Sequence, residues 1–200
     1  TLLFGTDGSL LVSAGDGASY MDIDTGGSVG GIYTAQALAE GIIRPKEDVG
    51  SYRAQSVDSL AGKILRIHPE TGDGVPGNPF YDPNNPGAAR SRVWALGLRN
   101  PYRMTLRPGT GSRNPADANP GVLYIGDVGE YSWEELNVAT RPGQNFGWPV
   151  FEGLTEHWGY YNRNIPNRDA PNPLSGRNGC ALQKTPISTP TSIANGFAIL

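Results

Sequence analysis

The sequence predicts an all-β chain of short antiparallel strands, and three observations carry that reading. Apolar residues recur at period two in short runs bounded by turn residues. Two turn sequences, Thr6-Asp7-Gly8 and Arg141-Pro142-Gly143-Gln144-Asn145, join such runs. Glycine and proline, 28 and 17 of 200 residues, exceed a fifth of the chain, which suits many turns and disfavours a helical bundle.

The elements follow in order. Leu2 to Gly5 and Leu10 to Ala14 flank Thr6-Asp7-Gly8, where Asp-Gly supplies the positive φ angles of a tight hairpin. Further strands are expected at Gly62 to Ile67 (GKILRI), Arg92 to Leu98 (RVWALGL), Tyr102 to Arg107, Gly121 to Gly126 (GVLYIG), Glu134 to Ala139 and Phe146 to Phe151. In the turn from Arg141 to Asn145, Pro142 presets φ and Gly143 relieves the next position. Between Gly15 and Ser59 only Thr34 to Ala39 reads as helical, and GTGSRNPADANPG from Gly109 reads as a hairpin tip with solvated charges.

If successive strands alternate direction, parity assigns each connection to one end of the sheets. The long loop after Gly15, Arg99-Asn100, the Asp127 to Trp133 loop and the segment after Glu152 then share one rim. The turns at Thr6 to Ser9, His68 to Ser91, Pro108 to Pro120 and Thr140 to Asn145 lie at the other.

Composition removes several function classes. A formal charge of −3, from 16 basic and 19 acidic residues spread along the chain, leaves no basic stripe for nucleic acid. No apolar run approaches the roughly 20 residues of a membrane span, and no export signal opens the chain. Cys180 is the single cysteine, so an internal disulfide is impossible. There is no GxSxG elbow, P-loop, GxGxxG fingerprint or zinc spacing.

The chemistry gathers on the first rim. Pro101 restricts the residue before it, so Arg99-Asn100 forms a turn that presents a guanidinium fork beside an amide. The fork suits carboxylate or quinone oxygens; a plain ion pair with Asp127 or Glu130 is the alternative. GDVGE, at Gly126 to Glu130, carries two carboxylates and two glycines that free carbonyls to face an ion such as calcium, with a hydrogen-bonded turn as the alternative. Glu134 and Glu135 begin a strand and face opposite ways, so they do not pair for acid/base work. Asp22 and Asp24 in SYMDIDTGG have the spacing of some calcium loops without the remainder of an EF-hand. His68, on the far rim, reads as structural, and His157 reads as part of an aromatic cluster with Trp158, Tyr160 and Tyr161.

LLFGTDGSLLVSAGDG, SLAGKILRI, VWALGLRNPYR, LYIGDVGEYSWEELN and QNFGWPVFEG occur in an order that resembles the glucose/sorbosone dehydrogenase family, which includes the soluble pyrroloquinoline-quinone sugar dehydrogenases. The resemblance covers most of Leu2 to Gly153 and continues more weakly through NRDAPNPLSGRNGC. It implies antiparallel four-stranded blades and about half of a six-bladed β-propeller, so residues 1–200 are expected to be a partial propeller with a long rim insertion at about 16–58.

The resemblance also implies a site. Arg99 and Asn100 match positions that contact the quinone and its reacting carbonyl. Gly129 and Glu130 match residues whose backbone carbonyls hold the cofactor-associated calcium; the second is often proline in the family. The cofactors implied are pyrroloquinoline quinone and calcium, the partners an aldose and an electron acceptor, and the location periplasmic or extracellular. The family's catalytic histidine is expected just before Thr1, so no catalytic residue is assigned within the chain, and the fragment alone is expected to be inactive. His157 does not match that histidine. Val150 stands where some relatives have a cysteine, leaving Cys180 without that partner. A non-catalytic extracellular propeller that binds a protein or glycan, as in the Hedgehog-interacting proteins, is the alternative.

Overall fold

The computed structural model describes residues 1–27, 32–163, 165, 171–172, 177–178 and 196–199. Cys180 and the segment before it, apart from two short strands, lie outside the described residues.

The chain is all-β, built on two four-stranded antiparallel sheets. The first is formed in order by β1 (Leu2–Phe4), β2 (Leu10–Ala14), β3 (Lys63–Ile67) and β4 (Val93–Leu96). The second begins with β5 (Pro101–Leu106), β6 (Leu123–Asp127) and β7 (Glu134–Ala139). Two small hairpins follow, β8 (Phe151–Glu152) with β9 (Thr155–Glu156), and β10 (Pro171–Asn172) with β11 (Arg177–Asn178). β12 (Gly196–Ile199) then pairs with β7 as the fourth strand of the second sheet, a partner that the sequence reading did not include. Two successive four-stranded antiparallel sheets are the repeating unit expected of propeller blades.

Alternation along the strands builds the core. Leu11, Ile64 and Ala95 from the first sheet meet Met104, Leu123, Ile125 and Ala139 from the second, with Trp94, Leu98 and Phe146 closing the cluster. Each of the larger aliphatic side chains buried there contributes on the order of 1.5–3 kcal/mol. Leu65, Val93 and Leu96 point to the opposite face, where Val12, Val57, Ile67 and Phe80 cover them. β4 is therefore buried along its whole length.

One expected strand is corrected. Phe146 to Phe151 does not join a sheet; only Phe151 is in a strand, in the β8–β9 hairpin. Asn145 bridges Leu96 in parallel, and the N–H groups of Phe146 and Trp148 donate to the carbonyls of Leu96 and Gly97. Gly147 then has φ 101°, Pro149 offers no N–H, and residues 148–150 form a turn. The segment nevertheless crosses from one rim to the other beside β4, so the parity assignment survives the missing strand. On the far rim Thr6 N–H donates to Pro120 O (2.8 Å) and Gly143 N–H to Trp94 O (2.8 Å). On the near rim Asp16 N–H donates to Arg99 O (2.8 Å) and Val128 N–H to Asn100 O (3.1 Å).

The segment from residue 16 to residue 58 carries α1 (Thr34–Ala39), as expected, and two 3₁₀ turns, Pro45–Glu47 and Gly50–Gln55. Its base is anchored rather than loose. Tyr52 and Ala54 pack with Trp148, Val150 and Tyr160, and Tyr52 Oη donates to Tyr160 O at 2.6 Å. Val150, without a cysteine, is thus held by packing. Asp24 accepts from Ser19 N–H (3.0 Å) and Gly26 N–H (2.9 Å), while its own N–H reaches Tyr160 Oη (3.0 Å). Those bonds give Asp24 a turn-forming role within the insertion.

Lys63 locks the insertion's return to β3. It is wholly buried, and its Nζ donates to the carbonyls of Arg53 (2.9 Å), Ala54 (2.9 Å) and Ala61 (2.6 Å). Burial pushes its pKa well below the usual lysine value, yet three carbonyl acceptors match the three protons of an ammonium, and we assign the charged form. Lys63→Met is expected to lower unfolding stability by about 1–3 kcal/mol, because three charge-assisted bonds are lost while Arg53 O and Ala54 O keep the N–H groups of Ser56 and Gly97. Denaturant melts check this, and a loss near zero would show that water replaces the ammonium.

Candidate cofactor and metal site

The near rim is organised by Asp127, the last residue of β6. Its Oδ1 accepts from Asn100 N–H at 2.7 Å and its Oδ2 from Arg99 N–H at 3.0 Å. It is 3% exposed. Burial, and then the nearby Glu135, push its carboxyl well above the usual range, while the two backbone bonds oppose the shift. Asp127 thus binds the peptide of the Arg99 turn and not its guanidinium. The simple Arg99–Asp127 ion pair is absent.

That leaves the guanidinium for the GDVGE turn. Arg99 Nη1 donates to Gly129 O at 2.6 Å and to Val128 O at 3.3 Å, and Arg99 Cζ lies 5.5 Å from the Trp148 ring centroid. Trp148 in turn donates through Nε1 to Asp16 Oδ2 at 2.7 Å. Burial raises the pKa of Asp16, with Ala18 N–H, Trp148 and Arg99 acting against it. Arg99, Asn100 and Gly129, read from separate motifs, therefore meet on one rim.

Gly129 is required there by space. A Cβ on it would come within 1.7 Å of Trp133 O and 2.6 Å of Glu152 Oε1. Glu130, also a sequence candidate, turns its side chain away from Arg99 and into the protein. That side chain is 2% exposed, and Oε2 lies 2.9 Å from His157 Nε2. The two are at ion-pair distance without hydrogen-bond alignment, and both Glu130 oxygens lack a hydrogen-bond partner. His157 Nδ1 accepts from Gly159 N–H at 3.2 Å, which puts the proton of a neutral ring on Nε2, facing Glu130. Of the expected aromatic cluster, Tyr160 (4.8 Å) and Trp158 (6.1 Å) lie against this histidine, Trp148 (5.4 Å) joins them, and Tyr161 packs on Phe151 instead.

Sequence reading missed Glu152. Its carboxylate is 3% exposed, and Oε1 accepts from the N–H groups of Glu130, Tyr131 (2.9 Å), Ser132 (3.2 Å) and Trp133 (3.5 Å). Glu135, the inward member of the Glu134-Glu135 pair, accepts from Gly153 N–H and Asn137 Nδ2. Its pKa is raised, by burial first. A signal was present in the glycine after Glu152: Gly153 has φ 59°, and a Cβ there would strike the Trp133 ring at 2.6 Å. The β8–β9 hairpin is thereby pressed onto the loop.

Among the described residues no group of three or more His, Cys, Asp and Glu side chains is arranged to hold a metal ion. A cation on this rim would rest on main-chain oxygens. No described helix is long and apolar enough to cross a membrane.

Comparison with known proteins identifies the family. A profile of the Glucose / Sorbosone dehydrogenase family matches residues 1–175. The chain is 30% identical over 164 residues to the HIPL2 protein of Arabidopsis thaliana, covering 76% of this chain and 18% of that one. It is 30% identical over 118 residues to the aldose sugar dehydrogenase YliI of Escherichia coli (strain K12), covering 59% and 26%. Among solved structures, the PQQ-bound aldose sugar dehydrogenase of Streptomyces coelicolor aligns over 76% of this chain and 30% of its own, with 27% identity and a TM-score of 0.47. The chain thus spans about a quarter or less of these two curated relatives. With most of its length matched by the family profile, the chain belongs to the glucose/sorbosone dehydrogenase family.

Proposed function

We propose that the complete protein is a calcium- and pyrroloquinoline-quinone-dependent aldose dehydrogenase, periplasmic or extracellular, of which this chain forms part of a six-bladed propeller and one wall of the cofactor site. The observation that carries the reading is the meeting of the Arg99 guanidinium with the Gly129 carbonyl on one rim, 2.6 Å apart.

The residues present fit the cofactor pair. Arg99 offers further donors to quinone or carboxylate oxygens. Gly129 O keeps a second lone pair beside its bond to Arg99, and no hydrogen bond to Glu130 O forms among the described residues. Two such carbonyls are hard oxygen donors of the kind calcium takes. A bound quinone would supply a two-electron acceptor for the hydride of the sugar C1, with the C1 hydroxyl proton passing to a base.

This chain's own residues hold and polarise. Asp127 fixes the Arg99 and Asn100 peptides, so both side chains leave the turn in a set direction. Arg99 would hold the quinone and supply positive charge to oxygens that gain negative charge on reduction. Asn100 adds an amide beside it. His157 is 3% exposed and faces Glu130, so it supplies no base to a sugar hydroxyl.

The test is reconstitution of the complete protein with quinone and calcium, followed by dye reduction with a panel of aldoses. Turnover that EDTA removes and calcium restores is expected, with none from residues 1–200 alone. Absence of both a cofactor spectrum and dye reduction at saturating quinone would reject the enzyme and leave the protein- or glycan-binding propeller.

A further inference from the structure

We infer that Glu152 is the positioning residue of the carbonyl face at Gly129 and Glu130, acting from beneath the loop it organises. The argument is one of peptide geometry. In a trans peptide the N–H of one residue and the C=O of the residue before it point in opposite directions. Glu152 Oε1 collects the N–H groups of Glu130 and Tyr131, the two closest of its four backbone donors. The carbonyls paired with those N–H groups are those of Gly129 and Glu130. Both are therefore turned away from Glu152, and the first is met on its far side by Arg99 Nη1 at 2.6 Å.

One carboxylate oxygen, 22 residues away from Glu130 in sequence, thus fixes the direction of the two proposed calcium ligands. Three features hold it in place. The carboxylate is buried, its four donors form a concave nest that favours negative charge, and the adjoining Gly153 N–H is bound by Glu135. Gly129 completes the device, because a side chain there would collide with Glu152 Oε1 and Trp133 O. The calcium half of this inference rests on the proposed function; the positioning of the turn does not.

The experiment uses the complete protein with Glu152→Gln, which keeps the shape but replaces a charged acceptor by a neutral amide. Calcium binding to the quinone-free protein is followed by titration calorimetry, and amide hydrogen exchange is read at residues 130–133. The expected result is calcium affinity weakened by about 10–100-fold, as for loss of other outer-shell partners, together with clearly faster exchange at those amides. Glu134→Gln, an exposed neighbour on β7, is expected to change neither reading.

If Glu152→Gln fails to fold, Glu152→Asp, one methylene shorter, is expected to give the same two effects. Wild-type affinity and wild-type amide protection in a folded variant would overturn the inference. If the wild-type protein itself takes no calcium, the proposed function fails, and the exchange at residues 130–133 still decides the role of Glu152.

Discussion

Arg99→Ala in the complete protein is expected to lower kcat/KM for aldose oxidation by about 10²–10³-fold, the usual cost of removing one preorganised donor from developing negative charge. The loss should fall mainly on kcat, because the proposed contact is with the cofactor and not with the sugar. The fold should survive. The side chain is only partly buried, and its bonds go to the loop carbonyls of Val128 and Gly129 and to the face of Trp148. Its backbone, which anchors to Asp127 and Asp16, is untouched by the substitution. Arg99→Lys separates charge from geometry: a lysine keeps the cation but not the planar fork that can span Gly129 O and a second acceptor. It should recover about tenfold over alanine and remain well below wild type. Dye-linked steady-state kinetics with parallel thermal melts make the check. Unchanged kinetics would reject the assigned role, and a melt that falls in step with activity would assign Arg99 to stability.

How much of this was legible in the sequence follows from the range of the interactions. Period-two runs gave the first seven strands to within a few residues, since alternation and turn residues are local signals. Parity then put Arg99-Asn100 and GDVGE on one rim, and the bonds across it agree. The strand expected at Phe146 to Phe151 failed because apolar residues there serve two packing clusters, with Phe146 in one and Trp148 and Val150 in the other. A run of apolar residues does not reveal whether a ladder or a pair of clusters will use it. Glu152 and the inward turn of Glu130 were hidden for a different reason. Their partners lie far along the chain, and a carboxylate that collects backbone N–H groups leaves no pattern of residue types beyond the glycine that follows Glu152.

Asp7 gives the second large expected effect, and it shows one residue meeting two demands. As a turn residue its Oδ1 accepts from Ser9 N–H at 3.1 Å and Ser9 Oγ at 2.6 Å, the local role that its place before Gly8 predicts. Its Oδ2 also accepts from Arg66 Nε at 2.9 Å and Nη2 at 2.7 Å, with the two side chains 0% and 2% exposed. Arg66 is further bound by Pro76 O and Asn78 Oδ1 and lies over Trp94 at 5.4 Å. Asp7→Ala leaves that guanidinium buried without its counter-charge, so a loss of about 3–5 kcal/mol in unfolding free energy is expected. Replacing both partners, Asp7→Leu with Arg66→Met, should recover much of it, because no unpaired charge then remains at that site. The comparison separates the value of the pair from the cost of breaking it. Denaturant titrations of the complete protein and the two variants measure both, and a single-variant loss under about 1 kcal/mol would mean that water reaches Arg66 and screens it as at a surface.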